Sequence, residues 1–216
     1  IGNGGDDTFS VGGAPLVLDG GAGVDTFDLH LFFHLVPDSN GDGLAEQLDP
    51  LNGVIINMLT QTIVDDGFGA SGIFSGFENV GGAELDDVIT GDHNANVLRG
   101  FGGADVIQGR GGNDAIDGGD GDDNLQGDGN FAYNGPSGND TISGGAGNDL
   151  MRGGEGVDSF DGGDGDDDRV SFYTLYATQA VVASALTQTI SNDGFGNAET
   201  MTGVEGLGAG TRLADW

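Results

Sequence analysis

Aspartates recur every nine residues through the middle of this chain, each set among glycines. GFGGADVIQ, GRGGNDAID and GGDGDDNLQ follow one another from Gly100 to Gln126. Asp105, Asp114 and Asp123 hold the sixth place of these units, and Ile107, Ile116 and Leu125 hold the eighth. Short carboxylates at a fixed interval, with turn carbonyls close by, form an oxygen-only ligand set. Such sets select hard cations, and calcium takes about six to eight oxygens.

Composition points the same way. The 216 residues include 46 glycines and carry a net charge of −31, from 36 acidic residues against 5 arginines and no lysine. Only Glu46, Glu78, Glu84, Glu155, Glu199 and Glu205 are glutamates; the other acids are the shorter, turn-compatible Asp. This charge excludes a nucleic-acid footprint and docking on anionic lipid. Cysteine is absent, so disulfide and thiolate chemistry are excluded. No stretch has the apolar length of a membrane span. Ser, Thr and the three histidines form no nucleophile–base constellation, and carboxylate pairs that recur every nine residues describe a scaffold. The expectation is therefore a protein that is not an enzyme.

The elements follow from the spacing. Six Gly/Asp-rich residues make a turn, and the last three make a short strand whose middle residue points inward. Two units close one coil of about 18 residues, so stacked coils give two parallel sheets edged by two columns of turns. In one column stand Asp87, Asp105, Asp123, Asp149 and Asp167; in the other Asn96, Asp114, Asp140 and Asp158. GGDGDDDRV leaves the register open by one residue: Val170 as the plug would move the sixth place to Asp168. GDGNFAYN reads as an insertion of eight residues that swells one unit.

The repeat pattern covers 1–28 in part, with Asp7 and Asp25 in sixth place, and 81–170 as the main run. Strand-rich spacers fill 29–80 and 171–216, the second ending in a truncated return to a further run. The spacers are related: LTQTIVDDGFG matches LTQTISNDGFG and GFENVGG matches GVEGLGA, both 127 residues apart. The chain begins and ends inside units, which leads us to expect adjoining domains in a longer protein.

The nonapeptide G-G-x-G-x-D-x-U-x resembles the RTX family, the haemolysin-type calcium-binding β-roll of secreted bacterial proteins. The resemblance implies an all-β, right-handed parallel β-roll or β-helix solenoid. It implies that each calcium ion takes the sixth-place Asp of two turns in a column, carbonyls of places two and four from the first turn, and of places one and three from the second. Phe101, Gly103 and Asp105 would then face Gly118, Asp120 and Asp123. Gly119, Gly121 and Asp123 would face Gly144, Ala146 and Asp149; Gly145, Gly147 and Asp149 would face Gly162, Asp164 and Asp167. Gly100 and Gly102 would serve the site shared with Asp87. In the other column Gly109 and Gly111 would serve Asp114, and Gly153 and Glu155 would serve Asp158. Near the start, Gly20, Ala22 and Asp25 would face Asn3, Gly5 and Asp7. Asn96 brings an amide oxygen without charge, so its site should be weaker, and the insertion puts the Asp114–Asp140 pairing in question.

A second motif lies in DSNGDGLAEQLD. Asp38, Asn40 and Asp42, then the Leu44 carbonyl, Glu46 and Asp49, fit the ligand places of an EF-hand loop. Asp49 stands where Glu is usual, and Pro37 and Pro50 replace flanking helices.

The resemblance further implies calcium-driven folding after type I secretion, with an extracellular or cell-surface location. Roughly eight calcium ions would offset about half of the charge that opposes compaction. A calcium-stiffened adhesin or surface-layer module, or the calcium module of a secreted exoenzyme, is the alternative.

Overall fold

The computed structural model describes residues 2, 4–9, 16–29, 34–36, 46–48, 52–128, 137–172 and 178–208. Two ten-stranded sheets dominate. In spatial order the first contains β1 (Thr8–Phe9), β3 (Thr26–Asp28), β9 (Asn79–Gly81), β11 (Val97–Gly102), β13 (Ala115–Asp120), β15 (Thr141–Ala146), β17 (Ser159–Asp164), β21 (Glu199–Thr202), β20 (Thr189–Asn192) and β19 (Val182–Ser184). The second contains β2 (Leu16–Asp19), β8 (Gly72–Ser75), β7 (Thr62–Asp66), β6 (Val54–Asn57), β10 (Val88–Thr90), β12 (Val106–Arg110), β14 (Asn124–Asp128), β16 (Leu150–Arg152), β18 (Arg169–Val170) and β22 (Gly206–Leu207). A separate antiparallel pair joins β4 (His34–Val36) to β5 (Glu46–Leu48).

Within the main run every pairing is parallel, and successive units alternate between the sheets. The protein is an all-β parallel β-roll. Its core is two facing ladders of eighth-place side chains, extended in register by one residue or more from each spacer. Phe27, Val80, Leu98, Ile116, Ile142, Phe160 and Met201 line the first sheet. Ile56, Ile89, Ile107, Leu125, Met151 and Val170 line the second. The flanking seventh and ninth places face outward, as Val106 (46% exposed) beside Ile107 (0%) shows. One buried aliphatic side chain contributes only about 2 kcal/mol, a small return for nine ordered, glycine-rich residues.

The spacers interrupt the parallel pattern in one way twice. β7 runs antiparallel to its neighbours β6 and β8 in the second sheet; β20 does so between β19 and β21 in the first. The nine units between them, an odd number, carry the chain to the opposite sheet before the spacer recurs. In both copies a buried aspartate ties the hairpin loop. Asp66 Oδ1 accepts the N–H groups of Phe68 and Ala70, and Asp193 Oδ1 accepts those of Phe195 and Asn197. The first junction adds an aromatic cluster, in which Phe77 packs on Phe9, Phe27 and Phe74 with ring centroids 5.2–6.0 Å apart.

Candidate metal centres in the turn columns

The sixth-place carboxylates stand in two ladders. In the first, Oδ1 of Asp105 accepts the backbone N–H of Asp87, Asp123 that of Asp105, Asp149 that of Asp123, and Asp168 that of Asp149, at 2.7–2.8 Å. In the second, Asp114 accepts from Asn96, Asp140 from Asp114, and Asp158 from Asp140, at 2.8–2.9 Å. Asp25 accepts from Asp7 in the same way at 2.8 Å. One carboxylate oxygen therefore has a partner in every rung.

The other oxygen does not. Oδ2 of Asp25, Asp105, Asp114, Asp123, Asp140, Asp149, Asp158 and Asp168 is buried with no hydrogen-bond donor. Each carries potential negative charge, and burying such a group unpaired costs several kcal/mol. The backbone closes around this atom. A Cβ on Gly100 would overlap Asp105 Oδ2 and Gly118 O; one on Gly118 would overlap Asp123 Oδ2, and one on Gly144 would overlap Asp149 Oδ2. The first-place glycine is thus required by a carboxylate and a carbonyl oxygen crowding one point. Two anionic or partly negative oxygens aimed at the same space are a donor set for a cation, and calcium fits them.

Burial pushes the carboxyls of the main run upward, from Asp87 to Asp168, partly opposed by the backbone N–H each accepts. Asp87, Asp149 and Asp158 reach about 6, Asp105, Asp123 and Asp140 about 7, and Asp114 about 8. Neighbours in the column add repulsion: Asp105 and Asp149 both raise Asp123. Asp87 differs from the rest, since its Oδ2 accepts the Ala83 N–H at 2.7 Å and its Oδ1 that of Val54. Among the described residues no three His, Asp or Glu side chains gather to hold a metal, so a site here must complete its shell with main-chain oxygens.

The turns that carry those oxygens stack in register. Gly103 N–H meets Asp120 O, Gly121 N–H meets Ala146 O, and Gly147 N–H meets Asp164 O, at 2.6–2.9 Å. Phe101, Gly119 and Gly145 stand in register, as do Gly102, Asp120 and Ala146. Gly162 is buried against the return turn at Gly203. Gly109, Gly111 and Gly153 are buried in their turns, and the Glu155 N–H reaches the Asp128 carboxylate. In the first run Gly5 N–H donates to Ala22 O at 2.7 Å, and Gly20 lies against Asp25. Asn3 lies outside the described residues, as do Asp38, Asn40, Asp42, Leu44 and Asp49 of the EF-hand-like motif; Glu46 begins β5.

Three readings change. Asp168, not Asp167, occupies the ladder; Asp167 is exposed and ion-paired with Arg169 at 2.7 Å. The extra residue in this unit is absorbed in the turn so that Val170 can plug the core. The insertion leaves the Asp114–Asp140 pair intact. It also starts later than GDGNFAYN suggests: Asp128 pairs in register with Arg110, and Gly127 packs on Asp140 Oδ2, so these two hold the first and second places. Asn96 keeps its place, but its Nδ2 donates to Glu78 O at 2.9 Å, a neutral contact where other turns present charge.

Sequence reasoning missed Asp128, Glu78, Glu199 and Glu205. Asp128 is buried, and Oδ1 accepts the Gly138 N–H. Burial and the nearby Asp140 push its carboxyl to about 8. Reading the insertion one unit early hid it. Glu199 follows Asp158 in the stack; burial, then Asp158 and Asp193, push it up to about 10.

The model of the RTX calcium-binding nonapeptide repeat, in 4 copies, matches residues 99–130 and 135–168. These two segments are RTX calcium-binding repeats. No curated protein matches the chain. The RTX repeats are structural calcium-binding repeats, and the matched segments hold most of the ladder: Asp105, Asp114, Asp123, Asp140, Asp149, Asp158 and Asp168. The units at 82–90 and 91–99, with Leu85 and Asn96 in place of consensus residues, keep the geometry although all but Arg99 lies before the segments matched.

Proposed function

We propose that this chain is a calcium-binding β-roll segment of a large secreted bacterial protein, folding when it meets calcium outside the cell after type I secretion. The observation that carries the reading is the set of buried sixth-place Oδ2 atoms without a donor, all but that of Asp168 crowding the first-place glycine of their turn. With calcium bound, Asp105 and Asp123 would supply the charged ligands of one site, Asp123 and Asp149 of the next, and Asp114 and Asp140 of a third. Calcium would supply the positive charge that makes carboxylates stacked at strand spacing mutually attractive to one centre. The chain's own part is to fix the oxygens: the glycines admit the backbone, and the plugs hold each turn at its height in the stack.

Counting ions tests this. Native mass spectrometry of the full chain in micromolar to millimolar calcium should show several ions bound, and magnesium should not replace them, because it demands a small octahedral shell. A chain that remains metal-free in millimolar calcium would refute the reading.

A second reading, a calcium-stiffened module of an adhesin or surface-layer protein, draws support from the spacer repeated at 127 residues, since such recurrence suits an array. The calcium module of an exoenzyme is the remaining alternative. The full-length sequence separates them: many further modules favour the array, and an adjoining catalytic domain favours the exoenzyme.

A further inference from the structure

Two short segments outside the nonapeptide repeats reproduce the geometry of a repeat turn. Where the first spacer returns to the roll, Glu78 Oε2 accepts the Asp25 N–H at 2.8 Å. Where the second returns, Glu205 Oε2 accepts the Asp168 N–H at 3.0 Å. Each glutamate thus takes the rung that the next sixth-place Asp takes elsewhere. The carbonyl is reproduced too. A Cβ on Gly20 would overlap Gly76 O and lie 2.9 Å from Asp25 Oδ2; a Cβ on Gly162 would overlap Gly203 O and lie 2.9 Å from Asp168 Cβ. The carbonyl contact is the one that Gly100 makes with Gly118 O, and Gly20 also shares the Gly100 contact with the Oδ2 of its own aspartate.

The sequence behind this is Gly-x-Glu-x-apolar: Gly76-Phe77-Glu78-Asn79-Val80 and Gly203-Val204-Glu205-Gly206-Leu207. Glycine precedes the acid by two residues here and by five in the nonapeptide, while the acid precedes the apolar residue by two in both. In this shortened turn the acid is Glu, one methylene longer than Asp, and its Oε2 reaches the rung. Gly76 and Gly203 both have positive φ, 69° and 62°, which admits this tight turn. Val80 and Leu207 then pair in register with Phe27 and Val170. The two copies lie on opposite sheets, so a shared neighbourhood does not explain their likeness.

Facing each glutamate is a carboxylate oxygen that needs a partner. Asp25 and Asp168 are both 0% exposed, and Oδ2 of each has no donor. We propose that these pentapeptides are cation-binding turns in their own right, and that each completes a calcium site with the repeat turn beside it, Asp25 with Glu78 and Asp168 with Glu205. The inference rests on calcium binding by the repeats. It extends the ion column across both junctions, where the nonapeptide pattern stops.

The test is ion counting on the full chain with Glu78→Gln, Glu205→Gln and the double variant, beside Asp105→Asn. Glutamine keeps an oxygen to accept the N–H and removes only the charge. At calcium concentrations that just fill the wild type, each single variant should hold one ion fewer and the double variant two fewer, with an unchanged far-UV spectrum in excess calcium. If both glutamate variants keep the wild-type count while Asp105→Asn loses an ion, the junction sites are refuted and the repeat sites stand. If neither glutamate variants nor Asp105→Asn change the count, calcium binding by the repeat turns falls as well. A measurement on the wild type alone guards against a variant that fails to fold. Hydrogen exchange at 203–207 should slow at the same calcium concentration as at 118–123; exchange there that ignores calcium would overturn the proposal.

Discussion

At the scale of the residue, each repeat aspartate has two oxygens with separate duties: Oδ1 carries the hydrogen-bond ladder, and Oδ2 is left for a cation. Asp123→Asn should therefore act in opposite directions in the two states. Removing a charge that burial has already pushed to about 7 favours the metal-free fold, while loss of a charged ligand moves the calcium midpoint upward by about tenfold. Circular dichroism titrations with calcium and with chelator read both effects. Asn96→Asp should do the reverse, lowering the calcium midpoint and destabilising the metal-free chain, because the Nδ2 contact to Glu78 O is lost. First-place glycines make a third case. Gly118→Ala would ordinarily stabilise a chain by reducing unfolded-state freedom; here its Cβ meets Asp123 Oδ2 and Gly144 O. We expect a loss of about 1–3 kcal/mol in calcium-saturated thermal melts.

At the scale of the element, the turn and the plug are separable. Ile116→Ala removes a rung between Leu98 and Ile142 and should cost about 2–5 kcal/mol in the calcium-loaded protein. Val106→Thr, on the outer face, should change the melting temperature little. The alternation of turn and plug was legible in the sequence because one inward side chain per unit leaves a strict nine-residue trace. The Asp168 register was legible only through Val170: a ladder tolerates a swollen turn more readily than a missing plug. Asp128 was not legible, because a Gly-Asp pair beside an insertion reads equally well as loop. Glu78 and Glu205 were visible as members of a repeated segment, but nothing in a two-residue spacing from glycine announces a rung that nonapeptides build with five. Their role emerges only when the shortened turn is seen against the column.

At the scale of the whole molecule, the fold stores like charge in two lines along its edges. Every resolved shift in the ladder is upward, so the folded, metal-free chain binds more protons than the unfolded one. Its stability must therefore be greatest near the ordinary carboxyl pKa of about 4 and fall as pH rises through the folded values of about 6 to 8. Chelated protein should be β-rich near pH 4 and lose that structure toward pH 8, with calcium abolishing the dependence. The two-sheet architecture was legible from the unit length. The transfer of the spacer from one sheet to the other was not, since it depends on counting units across an insertion and an added residue. The measurement that tests the account most directly is the far-UV spectrum of the full chain at pH 7.5, first in chelator and then in millimolar calcium. The account predicts a disordered spectrum that becomes β-rich on calcium addition. A chelated chain already fully β-structured at that pH would contradict it.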